Sequence, residues 1–316
     1  MPFMGFSLQL ALPNLGAGAC TSTMLNNCMG SAERDVGSSV GTTGEGMSGS
    51  ITASGLMRVL TMMAREPVGA RDKVLIDIGS GIGRPQATSQ YLGVWPLTYG
   101  IEIGEGKWKQ ALSFLPLVRE KMFRKYYVGL PMPARHGFLH DNVQNLRTLE
   151  PGTHIFSAWE GNFTDDVKQC VGRLFVESRT ARVMAVVQKC MARGRPITPA
   201  QQMEEWGFGK VELVEGGNFD VFMQGSRKKL QAYIFKKVCA SGLSGDVPEN
   251  HVAEDQWAKA KFAPEAVLSR DPNDPPTERE TRSRCKGKVQ GQGVKVQGQG
   301  VRSRCKVKVS GCKGKM

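Results

Sequence analysis

The stretch VLIDIGSGIGRPQ, Val74 to Gln86, constrains the fold of this chain more than any other. Four apolar β-formers, Val74, Leu75, Ile76 and Ile78, surround Asp77, and glycines follow at Gly79, Gly81 and Gly83. Pro85 then suits the first turn of a helix, where its missing N–H costs nothing. The segment reads as strand, tight loop and helix. In the dinucleotide fingerprint G-x-G-x-x-G, the third glycine lets helix and strand pack closely beneath a pyrophosphate. Here that place holds Arg84, and the spacing is G-x-G-x-G with an acid two residues before the first glycine. That combination suits S-adenosylmethionine (SAM) better than a nicotinamide dinucleotide. Bare backbone along Gly79, Ser80, Gly81 and Gly83 lets the methionine part of the cofactor lie against the loop, with a helix N-terminus available to its carboxylate. Asp77, near the end of a buried strand, is placed near the cofactor's polar groups. A glycine-rich loop alone is also an ordinary turn, so the context decides.

That context is an alternation of strands and helices. A short helix, Gln86 to Leu92, leads to a second strand, LTYGIEI, Leu97 to Ile103. Its acid, Glu102, falls where a carboxylate reaches ribose hydroxyls, each such charge-assisted bond being worth about 1.5–3 kcal/mol. The pattern then predicts a helix from Lys107 to Lys125, strands at Gly137 to His140 and His154 to Ala158, and a helix from Thr164 to Ser178. A strand at Arg182 to Gln188, a helix around Pro199 to Trp206, and strands at Lys210 to Val214 and Leu230 to Val238 follow. Crossover helices imply a parallel sheet. The last two strands lack a helix between them, so a hairpin would make the final strand antiparallel to its neighbour.

On these residues the chain resembles the class I SAM-dependent methyltransferases over about Ser48 to Val238, with DIGSGIG as first motif and GIEI as second. Within that class it is similar to the non-SET histone-lysine methyltransferases, the disruptor-of-telomeric-silencing (Dot-one-like) family. The carrying residues are SGSITASGLM (Ser48 to Met57), DIGSGIGR, YGIEI, a long helix with Trp108 and Ala111, FLHDNVQNL (Phe138 to Leu146), HIFSAWEGNF (His154 to Phe163) and QGSRKKLQAYIF (Gln224 to Phe235). The resemblance implies a seven-stranded, Rossmann-like class I methyltransferase sheet, mostly parallel with an antiparallel last strand. It implies a SAM pocket formed by Thr52, Asp77, Gly79, Ser80, Gly81, Gly83, Glu102, Asp141 and Asn142. Asp141 matches the acid beside the adenine and Asn142 its neighbour, although Asp141 equally suits a turn. The chain departs from the family at Ser48 to Ser50, where the family has Tyr-Gly-Glu, and at Ala158 to Glu160, where it has Asn-Asn-Phe.

A sulfonium methyl is already activated, so a methyltransferase mainly aligns the acceptor and strips it of water. A lysine acceptor, with an ordinary pKa of about 10.4, would need an apolar aromatic passage to lose its proton. Trp159, Asn162 and Phe163, after the fourth strand, are the candidates to form it; core packing is the other reading of the two aromatics. Nucleobase amino-methylating enzymes carry Asn or Asp, Pro, Pro and an aromatic at that place, and here it reads SAWE. Cys170 and Cys190 read as buried, inert thiols rather than nucleophiles. The four histidines show no metal-ligand spacing with cysteines, so no metal is expected.

Charge divides the rest. Residues 1–239 hold 27 basic and 20 acidic side chains, residues 240–281 hold 4 and 9, and residues 282–316 hold 11 and none. Residues 1–47, rich in Gly, Ser, Thr and Met, read as mostly disordered with one short helix; 48–239 as the methyltransferase domain; 240–281 as an acidic, Pro-containing linker; 282–316 as a disordered basic tail. RSRCK and VQGQGV each occur twice in that tail, whose Gly, Gln and Lys cannot build a core. Such a tail suits polyanion contact, with a nucleosome or another nucleic-acid-associated protein as partner, or it is drift without a partner. No run approaches the ~18 apolar residues of a membrane span, and no secretory signal is evident, so a soluble, nuclear or otherwise cytoplasmic protein is expected. Three functions stay open: a protein lysine methyltransferase of histone type, a methyltransferase of the same fold acting on RNA or a small molecule, and a catalytically silent SAM- or nucleic-acid-binding module.

Overall fold

The structure, a computed structural model, describes residues 22–37, 51–66, 73–126, 135–159, 163–192, 194–224, 228–238 and 255–264. The chain divides into the units Met1–Asp274 and Pro275–Met316, and all described residues lie in the first. The basic tail and the segment Ser48 to Ser50 therefore fall outside the described residues.

The elements run α1 (Ser22–Asp35), α2 (Ala53–Arg65), β1 (Val74–Ile78), α3 (Arg84–Leu92), β2 (Leu97–Glu102), α4 (Glu105–Tyr126), β3 (Arg135–His140), β4 (His154–Ala158), α5 (Asp165–Glu177), β5 (Val183–Gln188), α6 (Pro199–Glu205), β6 (Val211–Phe222), β7 (Lys229–Lys237) and β8 (Lys261–Phe262). They build one sheet in the order β6-β7-β5-β4-β1-β2-β3-β8. The pairs β1/β2, β1/β4, β2/β3 and β4/β5 are parallel. β7 runs antiparallel to both β5 and β6, and β8 is antiparallel to β3. This is the expected mostly parallel Rossmann-like sheet, with β8 as an eighth strand on its edge.

Parallel strands covered on both faces read as continuous apolar runs. β1 is buried at all five positions. Its Ile76 and Ile78 face a core shared with Leu174, Phe175, Met203 and Phe208. Its Leu75 faces the opposite core, with Leu56, Val59, Leu60 and Met63 of α2. The chain steps from β1 outward through α3 to β2, whereas β4 pairs on the other side of β1. The sheet thus reverses direction between β1 and β4, and ligands of open α/β sheets bind at the carboxyl ends of strands at such a point.

Within 1–47, where one short helix is expected, helix α1 buries Leu25, Cys28, Met29 and Ala32 against Phe114, Val118 and Met122 of α4; the spacing is one apolar stripe on a helix. Two segments differ from the sequence expectations. β6 continues past Val214 to Phe222 because Gly216, with φ of 67°, and Gly217 make a bulge between Leu213 and Asn218 rather than an end. Residues 255–264, inside the expected linker, belong to the fold. Trp257 stacks on Tyr99 with centroids 4.3 Å apart, and its Nε1–H donates to Glu150 O. Gln256 bonds the Arg147 and Thr148 backbone. Lys261 and Phe262 cover the otherwise open edge of β3. Among the described residues, no helix is long and apolar enough to cross a membrane.

Trp257→Ala should destabilise the protein by about 3–5 kcal/mol, as for other buried large aromatics. Urea denaturation checks this, and a parental midpoint would detach residues 255–264 from the domain.

Candidate functional site

The loop between β1 and α3 is held by the end of β2. Gly79 N and Ser80 N both donate to Ile101 O, at 2.9 and 3.0 Å, and Gly83 N donates to Ser80 O at 2.9 Å. Glu102, 7% exposed, closes the clamp. Its Oε2 accepts from Gly81 N at 2.7 Å and its Oε1 from Gly104 N at 2.9 Å. Gly81 has φ of 55°, a conformation that costs other residues about 1–2 kcal/mol, and a Cβ added there would meet nothing within 4 Å. Gly83 has the opposite constraint: φ is 87° and a Cβ would lie 2.8 Å from Phe138 Cζ. Gly81 therefore faces open space, whereas Gly83 permits close packing.

Asp77 sits beneath the loop, 1% exposed, with Oδ2 lacking a hydrogen-bond partner. Burial pushes its carboxyl up to about 8; the nearby Gln86 carboxamide opposes the shift, and the Glu102 carboxylate adds to it. Gln86 is close enough to influence Asp77, yet neither of its buried amide atoms reaches full hydrogen-bond geometry, nor does Ser80 Oγ. Such buried groups are normally satisfied. Their concentration around a loop with open space above Gly81 fits a polar ligand that completes them.

The other expected site residues divide. Asp141 N donates to Glu102 O at 3.2 Å, which brings the ends of β2 and β3 together. Asp141 Oδ1 accepts from Asn142 N at 2.7 Å and Asn145 Nδ2 at 2.8 Å, and Asn142 Oδ1 accepts from Gln144 N at 3.0 Å. Both residues thus shape a turn at the site's edge. Thr52 caps α2 by accepting from Gly55 N at 3.3 Å. Phe163 lies over the loop, its Cε2 being 3.3 Å from where a Cβ on Gly79 would stand. Trp159 departs from the expected passage wall: it is 5% exposed and packs edge-on against Trp206 at 5.3 Å and beside Phe208 at 5.8 Å. Its N–H bond to Val187 O extends the β4/β5 pairing and aims the ring into the core. Asn162 lies outside the described residues.

Cys190 is exposed and Cys170 partly so, against the expectation that both are buried, because Cys190 falls in the turn after β5. His136 is buried against Thr98 Oγ1 at 2.7 Å, and His154 against Thr153 Oγ1 at 2.9 Å. Among the described residues, no three His, Cys, Asp or Glu side chains converge as metal ligands. The sequence reading missed Arg84 as a site neighbour. It is 4% exposed and pairs with Glu33 of α1; the signal was a charged residue where the dinucleotide fingerprint has its third glycine.

No protein-family model matches the chain, and comparison with curated proteins finds no similar one. Among solved structures, it is similar to magnesium protoporphyrin IX methyltransferase of Synechocystis PCC 6803 with bound SAM: 12% identity, TM-score 0.39, covering 70% of this chain and 99% of that one. It is also similar to an RNA methyltransferase of Salinibacter ruber in complex with S-adenosyl-L-homocysteine: 16% identity, TM-score 0.33, covering 60% of this chain and 95% of that one. At these scores the strand order, not the likeness, defines the class: a Rossmann-like α/β fold with its glycine loop at the switch point.

Asp77 gives the site a pH signature. Its carboxyl titrates near 8 in the folded chain and near 3.8 when unfolded, so between these values the folded state holds the extra proton. Its contribution to stability is complete below the lower value and is lost as pH rises through the upper one. Relative to Asp77→Asn, the parent should therefore lose stability from about pH 5 to about pH 8. Denaturant titrations of both proteins across that range check it; parallel curves would mean that Asp77 is ionised in the fold.

Proposed function

We propose that this chain is a SAM-dependent methyltransferase. The observation that carries the reading is where the loop's N–H groups point. Those of Gly79, Ser80, Gly81 and Gly83 are all engaged within the protein, by Ile101 O, Glu102 and Ser80 O. A pyrophosphate needs such donors free at the helix start, and the Glu102 carboxylate beside the loop would repel it. A cofactor carrying an ammonium and a sulfonium suits Glu102, and its ammonium would draw the buried Asp77 carboxyl into the ionised form. Asp77 Oδ2 lacks a hydrogen-bond partner, which an ammonium would supply. Glu102 uses two of the roughly four acceptor positions of a carboxylate, which leaves capacity for ribose hydroxyls. Asp141 stands at the next strand end, where the resemblance sets the adenine, and Gly81 keeps the space above the loop clear.

When bound, the cofactor would supply an activated methyl group. The chain's own residues would hold it, orient it and cover it, with Phe163 shielding the loop at Gly79. A histone-type lysine acceptor requires an apolar passage that discharges the amine. Of the two aromatic candidates, Phe163 is at the loop and Trp159 is in the core. This arrangement favours RNA or a small molecule as acceptor over a histone lysine. On this reading the basic tail is an RNA tether or has no part in the reaction.

Incubating the full chain with methyl-labelled SAM and RNA, a metabolite extract, free histones or nucleosomes should place label in RNA or small molecules. Label on nucleosomes alone would restore the lysine reading, and binding without product would leave a silent module. Gly81→Val should abolish SAM binding, measured by calorimetry, while the circular dichroism stays parental. An unchanged affinity would remove the loop from the cofactor site.

A further inference from the structure

Helix α1 precedes the segment that resembles the methyltransferase class, yet it reaches the glycine loop through one buried contact. Arg84 Nη1 forms an ion pair with Glu33, and the two residues are 4% and 7% exposed. Nη2 of the same guanidinium donates to Ile51 O at 3.3 Å and to Asn26 Oδ1 at 3.4 Å. Arg84 opens α3 directly after Gly83, and Ile51 precedes the Thr52 cap of α2. Leu25, Cys28, Met29 and Ala32 of α1 share a cluster with Ile82 of the loop. One guanidinium thus joins α1, the start of α2 and the start of α3.

Stability does not explain this contact. A buried ion pair gains little over an apolar pair of the same volume, because desolvation offsets the attraction, and its best-attested use is to specify one arrangement. The arrangement specified here is the direction in which α3 leaves the loop. We propose that Glu33 and Arg84 are positioning residues for the methionine end of the cofactor. They touch no ligand themselves; they fix the N-terminus of α3 and the Gly81 to Gly83 backbone against which that end would lie. This inference rests on the SAM reading. The nucleoside end would be held by other side chains, Glu102 and Asp141 at the ends of β2 and β3, and so serves as an internal control.

The test compares SAM with adenosine, which lacks the methionine part, by calorimetry on the full chain. Glu33→Gln keeps shape and a hydrogen bond but removes the charge; the double variant E33M/R84M replaces the pair with apolar side chains. Both should bind SAM about tenfold more weakly or worse, a loss of roughly 1.4 kcal/mol, with adenosine affinity retained; the thermal midpoint should hold in the double variant and fall in Glu33→Gln, which leaves the guanidinium charge buried without its counter-ion. Equal loss of both ligands, no change in either, or loss of fold in both variants would overturn the proposal, because each outcome makes the pair a structural prop. A parent that binds adenosine but not SAM, or binds neither, is a distinct result: it rejects the cofactor reading and this inference with it.

Discussion

The Glu102 carboxylate is the interaction on which the site's form depends. It receives one N–H from the loop after β1 and one from the turn after β2, so a single side chain registers two neighbouring strand ends against each other. With Ile101 O receiving two further loop amides, the backbone is pulled down onto the sheet edge. The consequence is electrostatic as well as geometric. A loop whose donors are spent inward offers an approaching ligand shape and negative charge rather than a ring of N–H groups. That separates it in kind from a phosphate cradle built on a similar run of glycines.

The sheet explains why this place can hold unsatisfied polarity. Each buried donor or acceptor without a partner costs about 1–3 kcal/mol, and Asp77, Ser80 and Gln86 all contribute such atoms. They sit beside a strand buried at every position, between two apolar cores, where the surrounding packing over-determines the backbone. Strain or polarity of this kind persists at functional sites because the rest of the fold supports it. The same burial that raises the Asp77 carboxyl also primes it: a cationic ligand would draw it into its ionised form and release a proton.

The strands and their order of use were legible because parallel strands are apolar throughout, and because DIGSGIG and YGIEI place loop glycines and an acid at successive strand ends. The bounds of β4 match the expectation; those of α5 differ from it by one residue at each end and those of β5 by one residue at the start. What the sequence concealed has separate causes. α1 and α2 carry stripes at Leu25, Cys28, Met29, Ala32 and at Leu56, Val59, Leu60, Met63, but their glycines and serines mask the period. Trp257 and Phe262 stand alone in a polar, acidic stretch, and their partners Tyr99 and β3 lie more than a hundred residues earlier. Trp159 shows the reverse case: next to a candidate site in sequence, its ring direction is set by the β4/β5 register, which no local pattern reveals.

The domain is therefore larger than the motif-bearing segment, and its additions are not equivalent. The strap at residues 255–264 covers a sheet edge, a generic need met by aromatic burial. α1 instead sets a charged side chain against the first residue of α3, where an apolar contact would have served stability as well. Since Glu33 and Arg84 neutralise each other, the pair leaves the Glu102 carboxylate and the protonated Asp77 carboxyl to set the charge at the loop. It adds direction without altering the field that a cationic ligand would meet. A glycine at position 84 would have set only the distance between helix and strand. An anchored arginine ties that helix to two elements that precede the first strand.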